Sequence, residues 1–198
     1  MQWSFFRICK GFYASRWRGN TEPDTEGHKT YSETESMMTH LETLIAEYLD
    51  WQGFLVMRNK KVGKLKRGGW EMELDIVGYR PQSGDLVHYE PSIDAVGWAK
   101  REARYKKKFL AGQKFIFTEI FPWLAPSTKL QQFAVFVDHP KNRQEISGGI
   151  IISVDEMMAE IRTKVAACGK MSTSAIAEQY PLLRTLQLSH NGYYRLRK

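Results

Sequence analysis

The sequence predicts an α/β fold: a mixed central sheet flanked by helices, with a helical C-terminal extension. Three observations carry that expectation. Apolar residues recur at helical spacing through Leu41, Leu44, Ile45, Tyr48 and Leu49. Alternating residues over 70–79 and 86–90 flank a turn-forming stretch at 81–85, which describes an antiparallel hairpin. Helical periodicity then returns over 96–111 through Trp98, Arg101, Tyr105 and Phe109.

Taken in order, residues 1–36 are an aromatic and basic start followed by a polar stretch without sustained period, and read as an N-terminal arm. Met37 and Met38 stand just before the first patterned helix, so an internal start there would remove only this arm. Thr39 is a candidate N-cap and Gly53 a stop, giving a first helix over about 38–52. Residues 54–57 form a short β-type run, and 59–69 read as a basic, glycine-punctuated loop or irregular hairpin. After the hairpin, Gly112 is expected to close the second helix, and 114–118 to return as a strand. Residues 132–137 and 149–152 read as strands, and Ser153 caps a helix, acidic at its start, that runs to about Ala167. A last helical region over 175–188 is interrupted by Pro181. The expected organisation is an arm (1–36), an α/β core (37–138) and a strand-plus-helix extension (139–198).

The 198 residues carry 29 Lys+Arg against 22 Asp+Glu, a formal charge of +7, and 42% are apolar. This composition supports a packed core rather than disorder. The longest apolar runs fall far short of the roughly 20 residues a membrane-spanning helix needs. Cys9 and Cys168 are too few for a disulfide framework or a cysteine zinc site, and the first ten residues are a poor secretory signal. A cytoplasmic protein without membrane contact is expected.

Charge is segregated along the chain. Arg58, Lys60, Lys61, Lys64, Lys66 and Arg67 form a block with no acidic residue among them. Glu71, Glu73, Asp75, Asp85, Glu90 and Asp94 follow, opposed only by Arg80. A second basic block holds Lys100, Arg101, Arg104, Lys106, Lys107, Lys108 and Lys114. Cations suit a phosphodiester backbone and carboxylates suit a divalent metal, so the pattern points to a nucleic acid as partner. On an ideal strand Glu71, Glu73 and Asp75 share one face while Met72, Leu74 and Ile76 share the other. Glu90 can lie across the hairpin from Asp75, which makes a carboxylate pair suited to Mg²⁺ or Mn²⁺. Glu42 and Glu47 on the first helix are candidates for a third ligand.

A helix Glu, a strand Asp in the run Leu74 to Val77, and Glu90 followed by Pro91 and Ser92 before a basic helix together resemble the PD-(D/E)XK nuclease superfamily, the restriction-endonuclease-like fold. Glu42 stands eleven residues before Gly53, a spacing similar to that of the helix Glu in some members. The resemblance covers about 38–120. It implies that Glu42, Asp75 and Glu90 bind the metal, with Glu73 as a further ligand, and that the protein is a metal-dependent nuclease that can act as a homodimer. It also implies a lysine two positions after Glu90, to orient the attacking water. Ser92 stands there instead, and a hydroxyl carries no charge. Lys100, on the following helix, is the candidate replacement. A non-catalytic nucleic-acid-binding protein that keeps this fold is the alternative.

Other candidates are weaker. His88 shares a strand face with Glu90, Asp94 can cap the second helix or supply an oxygen, and Trp98, Tyr105 and Phe109 form a core stripe. The five histidines show no zinc spacing, and nucleotide-loop and serine-hydrolase motifs are absent.

Overall fold

The computed structural model describes residues 39–193. The expected arm (1–36) and the basic residues 194–198 lie outside the described residues.

Helix α1 (His40–Trp51) starts with a reciprocal cap. The Thr39 hydroxyl accepts the Glu42 N–H at 3.2 Å, and the Glu42 carboxylate accepts the Thr39 N–H at 3.1 Å. Strands β1 (Leu55–Lys64), β2 (Trp70–Arg80) and β3 (Asp85–Ser92) follow as an antiparallel meander. Helix α2 (Trp98–Phe115) continues into a π-helical turn (Ile116–Ile120) and leads to β4 (Leu130–Phe136), which pairs parallel with β3. The short β5 (Glu145–Ile146) and β6 (Gly149–Ser153) complete a mixed six-stranded sheet in the order β1-β2-β3-β4-β6-β5. Helices α3 (Val154–Ala167) and α4 (Pro181–His190) close the described chain. Among the described residues no helix is long and apolar enough to cross a membrane.

Helices cover both faces of the sheet. On one, Leu44, Ile45 and Leu49 of α1 pack with Met157 and Ile161 of α3 and Leu183 of α4 against Ile76, Val87 and Val135. On the other, Tyr105, Phe109, Ala111 and Phe115 of α2 pack over Leu74, Val77, Leu86, Ala134 and Phe136. The expected stripe of Trp98, Tyr105 and Phe109 is therefore core. Buried Glu47 is structural, accepting the Leu183 N–H at 2.8 Å at the start of α4.

Four local expectations change. The basic stretch 59–64 is strand rather than loop, because β2 pairs with β1 along its whole length, from Leu55 with Tyr79 to Lys64 with Trp70. Cross-strand pairing overrides the weak β-propensity of lysine and glycine there. Pro181 starts α4 instead of interrupting it, since its missing N–H costs nothing at the first helical position. Asp94 does not cap α2, whose N-cap is Gly97. Gly112 does not end α2, and 114–118 is helical rather than strand. A Cβ at Gly112 would lie 2.6 Å from His88 Nδ1 and 2.8 Å from Gln132 Nε2, so glycine serves there to let the helix approach the sheet.

The ideal alternation on β2 also fails. Met72, Leu74 and Val77 share the core under α2, whereas Ile76 belongs to the opposite core. Leu74 and Val77 are an odd number of residues apart, so the strand slips phase between them. β1 slips with it: Met57 and Val62, also at odd spacing, both lie in the core under α2. Between the Arg58–Ile76 and Lys60–Leu74 partners, Asn59 stands opposite Asp75 with φ 47°. Asp75 therefore departs from strict alternation and reaches Lys108 in the middle of α2, whereas Glu71 pairs with Lys114 at the exposed end of that helix.

Gly112→Ala is expected to cost about 1–3 kcal/mol through overpacking. Thermal melting should register this as roughly 2–4 °C per kcal/mol. Gly97→Ala, with nothing within 4 Å of the new Cβ, should move the melting temperature by less than half as much.

Candidate active site

The ladder between β2 and β3 ends at the Ile76–Tyr89 pair. Beyond it the Asp75 N–H is donated to Glu90 Oε1 at 3.3 Å, so a side chain continues the link where the backbone pairing stops. Glu90 has no solvent exposure. Its Oε1 accepts His88 Nε2 at 2.7 Å, and its Oε2 pairs with the Lys108 ammonium of α2. Lys108 Nζ also donates to both oxygens of Asp75 at 2.9 Å. Two carboxylates from adjacent strands thus converge on one cation.

A buried chain of hydrogen bonds backs Glu90. Gln132 of β4 sends its amide nitrogen to Phe109 O and to His88 Nδ1, both at 3.0 Å. A backbone carbonyl can only accept, so that Gln132 atom is the NH₂, and His88 Nδ1 is the acceptor. The imidazole proton then sits on Nε2 and is donated to Glu90. Burial pushes His88 down to about 3, which keeps it neutral. Gln113 donates to Gln132 Oε1 at 3.0 Å, and the Tyr105 hydroxyl donates to Glu90 O at 2.9 Å.

A cavity of about 220 Å³ opens over Asp75 and Lys108, bordered also by Glu42, Ser92, Asp94 and Arg104. Burial first, then the Glu90 charge, pushes Asp75 up to about 7. Burial, followed by the charge of Asp75, also raises Glu42. Burial opposes the charge on Lys108, but Glu90 and Asp75 outweigh it and hold the ammonium above the ordinary lysine value.

The structure brings together Asp75, Glu90, Ser92 and Glu42 of the expected set. Glu73 does not border the cavity. Lys100 is exposed in the first turn of α2, about 12 Å along the helix axis from Lys108. Sequence reading placed Lys108 among the phosphate contacts, yet its side chain is 20% exposed and committed to the two carboxylates. The signal that could have found it is helical spacing, since Lys108 is one turn beyond Arg104 and adjacent to the buried Phe109. Arg104 donates to Asp94 Oδ2 and Ser92 Oγ, both at 2.8 Å, so position 92 belongs to a hydroxyl–guanidinium cluster at the cavity rim. Arg101 donates to Asp94 O at 2.7 Å and stacks over Trp98 and Phe136. Lys106 and Lys107 are exposed.

The donors around the cavity are hard oxygens, and Asp75 with Glu90 already points at a single cation, which fits Mg²⁺ or Mn²⁺. Among the described residues no three His, Cys, Asp or Glu side chains are gathered as a metal-ligand group. Glu42 is turned into its own helix cap.

Asp75 yields a pH prediction. The folded chain binds this proton more tightly than the unfolded chain, so the group weakens stability as pH rises from its ordinary 3.8 toward about 7, with no further change above. Urea denaturation of Asp75→Asn between pH 4 and 8 should show that dependence flattened, and an unchanged slope would exclude Asp75 as its source.

No family model matches this chain, and no curated protein matches it in sequence.

Proposed function

We infer that the cavity over Asp75 and Lys108 is the cleavage centre of a metal-dependent nuclease acting on DNA, built on a restriction-endonuclease-like core. The observation that carries the reading is the Lys108 ammonium held between Asp75 and Glu90. It supplies from α2 the positive charge that Ser92 cannot. The order of helix, three-stranded meander, helix and parallel strand supports the same core.

Asp75 and Glu90 would hold the divalent ion, with Glu42 as the third carboxylate once it leaves its cap. The bound ion would polarise a phosphoryl oxygen as a Lewis acid. Lys108, whose three donors are held by Asp75 and Glu90, keeps a positive charge beside the scissile phosphate, where it would offset charge developing on the oxygens. Arg104 at the rim can take a non-bridging oxygen. His88, neutral and hydrogen-bonded, fixes the rotation of the Glu90 carboxylate. Arg58, Lys60, Lys61 and Lys64 on β1, Lys66 and Arg67 in the turn, and Lys100, Lys106 and Lys107 on α2 are the cations for the flanking backbone.

One observation favours a second reading, the non-catalytic nucleic-acid-binding protein. The single Lys108 ammonium bridges both carboxylates at the place a divalent ion would take, as a lysine that permanently replaced the ion would do.

Cleavage of labelled DNA with Mg²⁺, Mn²⁺ or EDTA separates them. Asp75→Asn and Lys108→Met should each lower metal-dependent cutting by about 100-fold or more. Lys100→Gln, which touches neither carboxylate and removes one flanking phosphate contact, should weaken DNA binding by only about threefold. Persistent metal-dependent cutting by Asp75→Asn would overturn the site. Absence of cutting by the parent, with binding retained, would establish the second reading.

A further inference from the structure

A separate cavity of about 250 Å³ lies where β1 meets the π-helical turn. Met57, Val62 and Ile120 give it an apolar lining, and Trp70, 45% exposed, is its aromatic side chain. Lys60 and Lys61 border it, are exposed, and make no ion pair among the described residues. Lys64, Lys66 and Arg67 continue the cationic track to the hairpin turn, beside the exposed Leu65.

The chemistry of the lining selects its occupant. Both oxygens of Glu119, which also borders the cavity, accept the Gly63 N–H at 3.3 and 3.2 Å. That bond occupies a donor on the outer edge of β1, and the lysines and the positive φ of Asn59 further discourage addition of another strand. An anion entering the cavity would meet the Glu119 carboxylate, so the entering part is uncharged and its anionic neighbours stay with the lysines outside. A nucleotide whose base is unpaired divides in this way, into a flat apolar face and a phosphate.

We propose that this cavity takes an unpaired nucleobase stacked on Trp70, with the adjoining phosphates on Lys60, Lys61 and Lys64. Lys60 pairs with Leu74, next to Asp75, and Trp70 lies five residues from Asp75, so the cavity runs along β2 away from the carboxylates and its stacking face is about 17 Å from Asp75. A base inside a duplex reaches it only by leaving its stack. The substrate class is therefore DNA with unpaired bases a few nucleotides from the scissile bond, such as a single-stranded arm or fork, which rests on the nuclease reading above.

The test reads binding without cutting. Fluorescence anisotropy in EDTA compares a labelled duplex with the same duplex carrying a splayed single-stranded arm. The parent should bind the armed DNA at least about tenfold more tightly, and Trp70→Ala should lose about tenfold on the armed DNA and little on the duplex. Trp70→Phe, which keeps an aromatic face, should recover most of that loss. The salt dependence should be unchanged in Trp70→Ala and shallower by about one counterion in Lys60→Gln or Lys61→Gln. Equal affinity for the two DNAs, or full affinity of Trp70→Ala for the armed one, would overturn the proposal. An arm preference lost in Trp70→Ala, in a protein that cuts nothing with any metal, would sustain the cavity and sink the nuclease reading. Metal-dependent cutting with no arm preference would do the reverse.

Discussion

Glu90 is removed from water on every side, and a buried carboxylate survives only with a counter-charge and donors for its oxygens. Lys108 supplies the charge, while His88 and the Asp75 N–H supply the donors. Much of the surrounding backbone answers to this requirement. Helix α2 must lie close enough to the sheet for a lysine to reach two strands, and Gly112, one turn past Lys108, gives up its side chain to allow it. Strands β2 and β3 part at the same level, and β2 slips phase so that Asp75 faces the helix. Taking either partner out of such a pair leaves an uncompensated buried charge, a loss of roughly 3–5 kcal/mol. The carboxylates are therefore tied to α2 through Lys108.

The neighbouring charges are arranged very differently. Arg101 is spent on Asp94 and aromatic faces, and Asp94 and Ser92 anchor Arg104 at the rim, whereas the lysines of β1 and the turn extend into solvent. The protein thus keeps two populations of cation: a few guanidinium groups that fix local geometry, and a larger set of ammonium groups available to a polyanion. Trp70 and Glu119 give the second set a place where charge stops and a flat group can enter.

Much of the fold was legible because its helices and hairpin carry periodic apolar patterns and recognisable ends. Thr39 and Ser153 cap as their sequences suggest, and the pairing of β2 with β3 follows from the turn at 81–85. Long-range demands hid the rest. Gly112 reads locally as a helix stop, and only contact with His88 and Gln132, distant in sequence, explains why it is not one. Alternation placed Asp75 in line with Glu71 and Glu73, yet a slip shared with Asn59 on the neighbouring strand breaks that alternation. Asp75 and Glu90 could be read because a hairpin sets them opposite each other. Helical spacing marks Lys108 as the inward member of its lysine run, but the carboxylates that commit it come from β2 and β3, far off in sequence.

Glu42 holds the first turn of α1 and also faces the cavity. One carboxylate cannot serve the Thr39 amide and an incoming cation at full strength together. A ligand that recruited Glu42 would break the bond its carboxylate accepts from the Thr39 N–H while leaving the Thr39 hydroxyl on the Glu42 N–H, so it would bind more weakly than the same oxygens would allow in a helix capped by other means. On that reading the start of α1 would be a latch whose loosening is thermodynamically tied to occupancy, and fraying measured at His40 and Leu41 would gauge what sits between the strands.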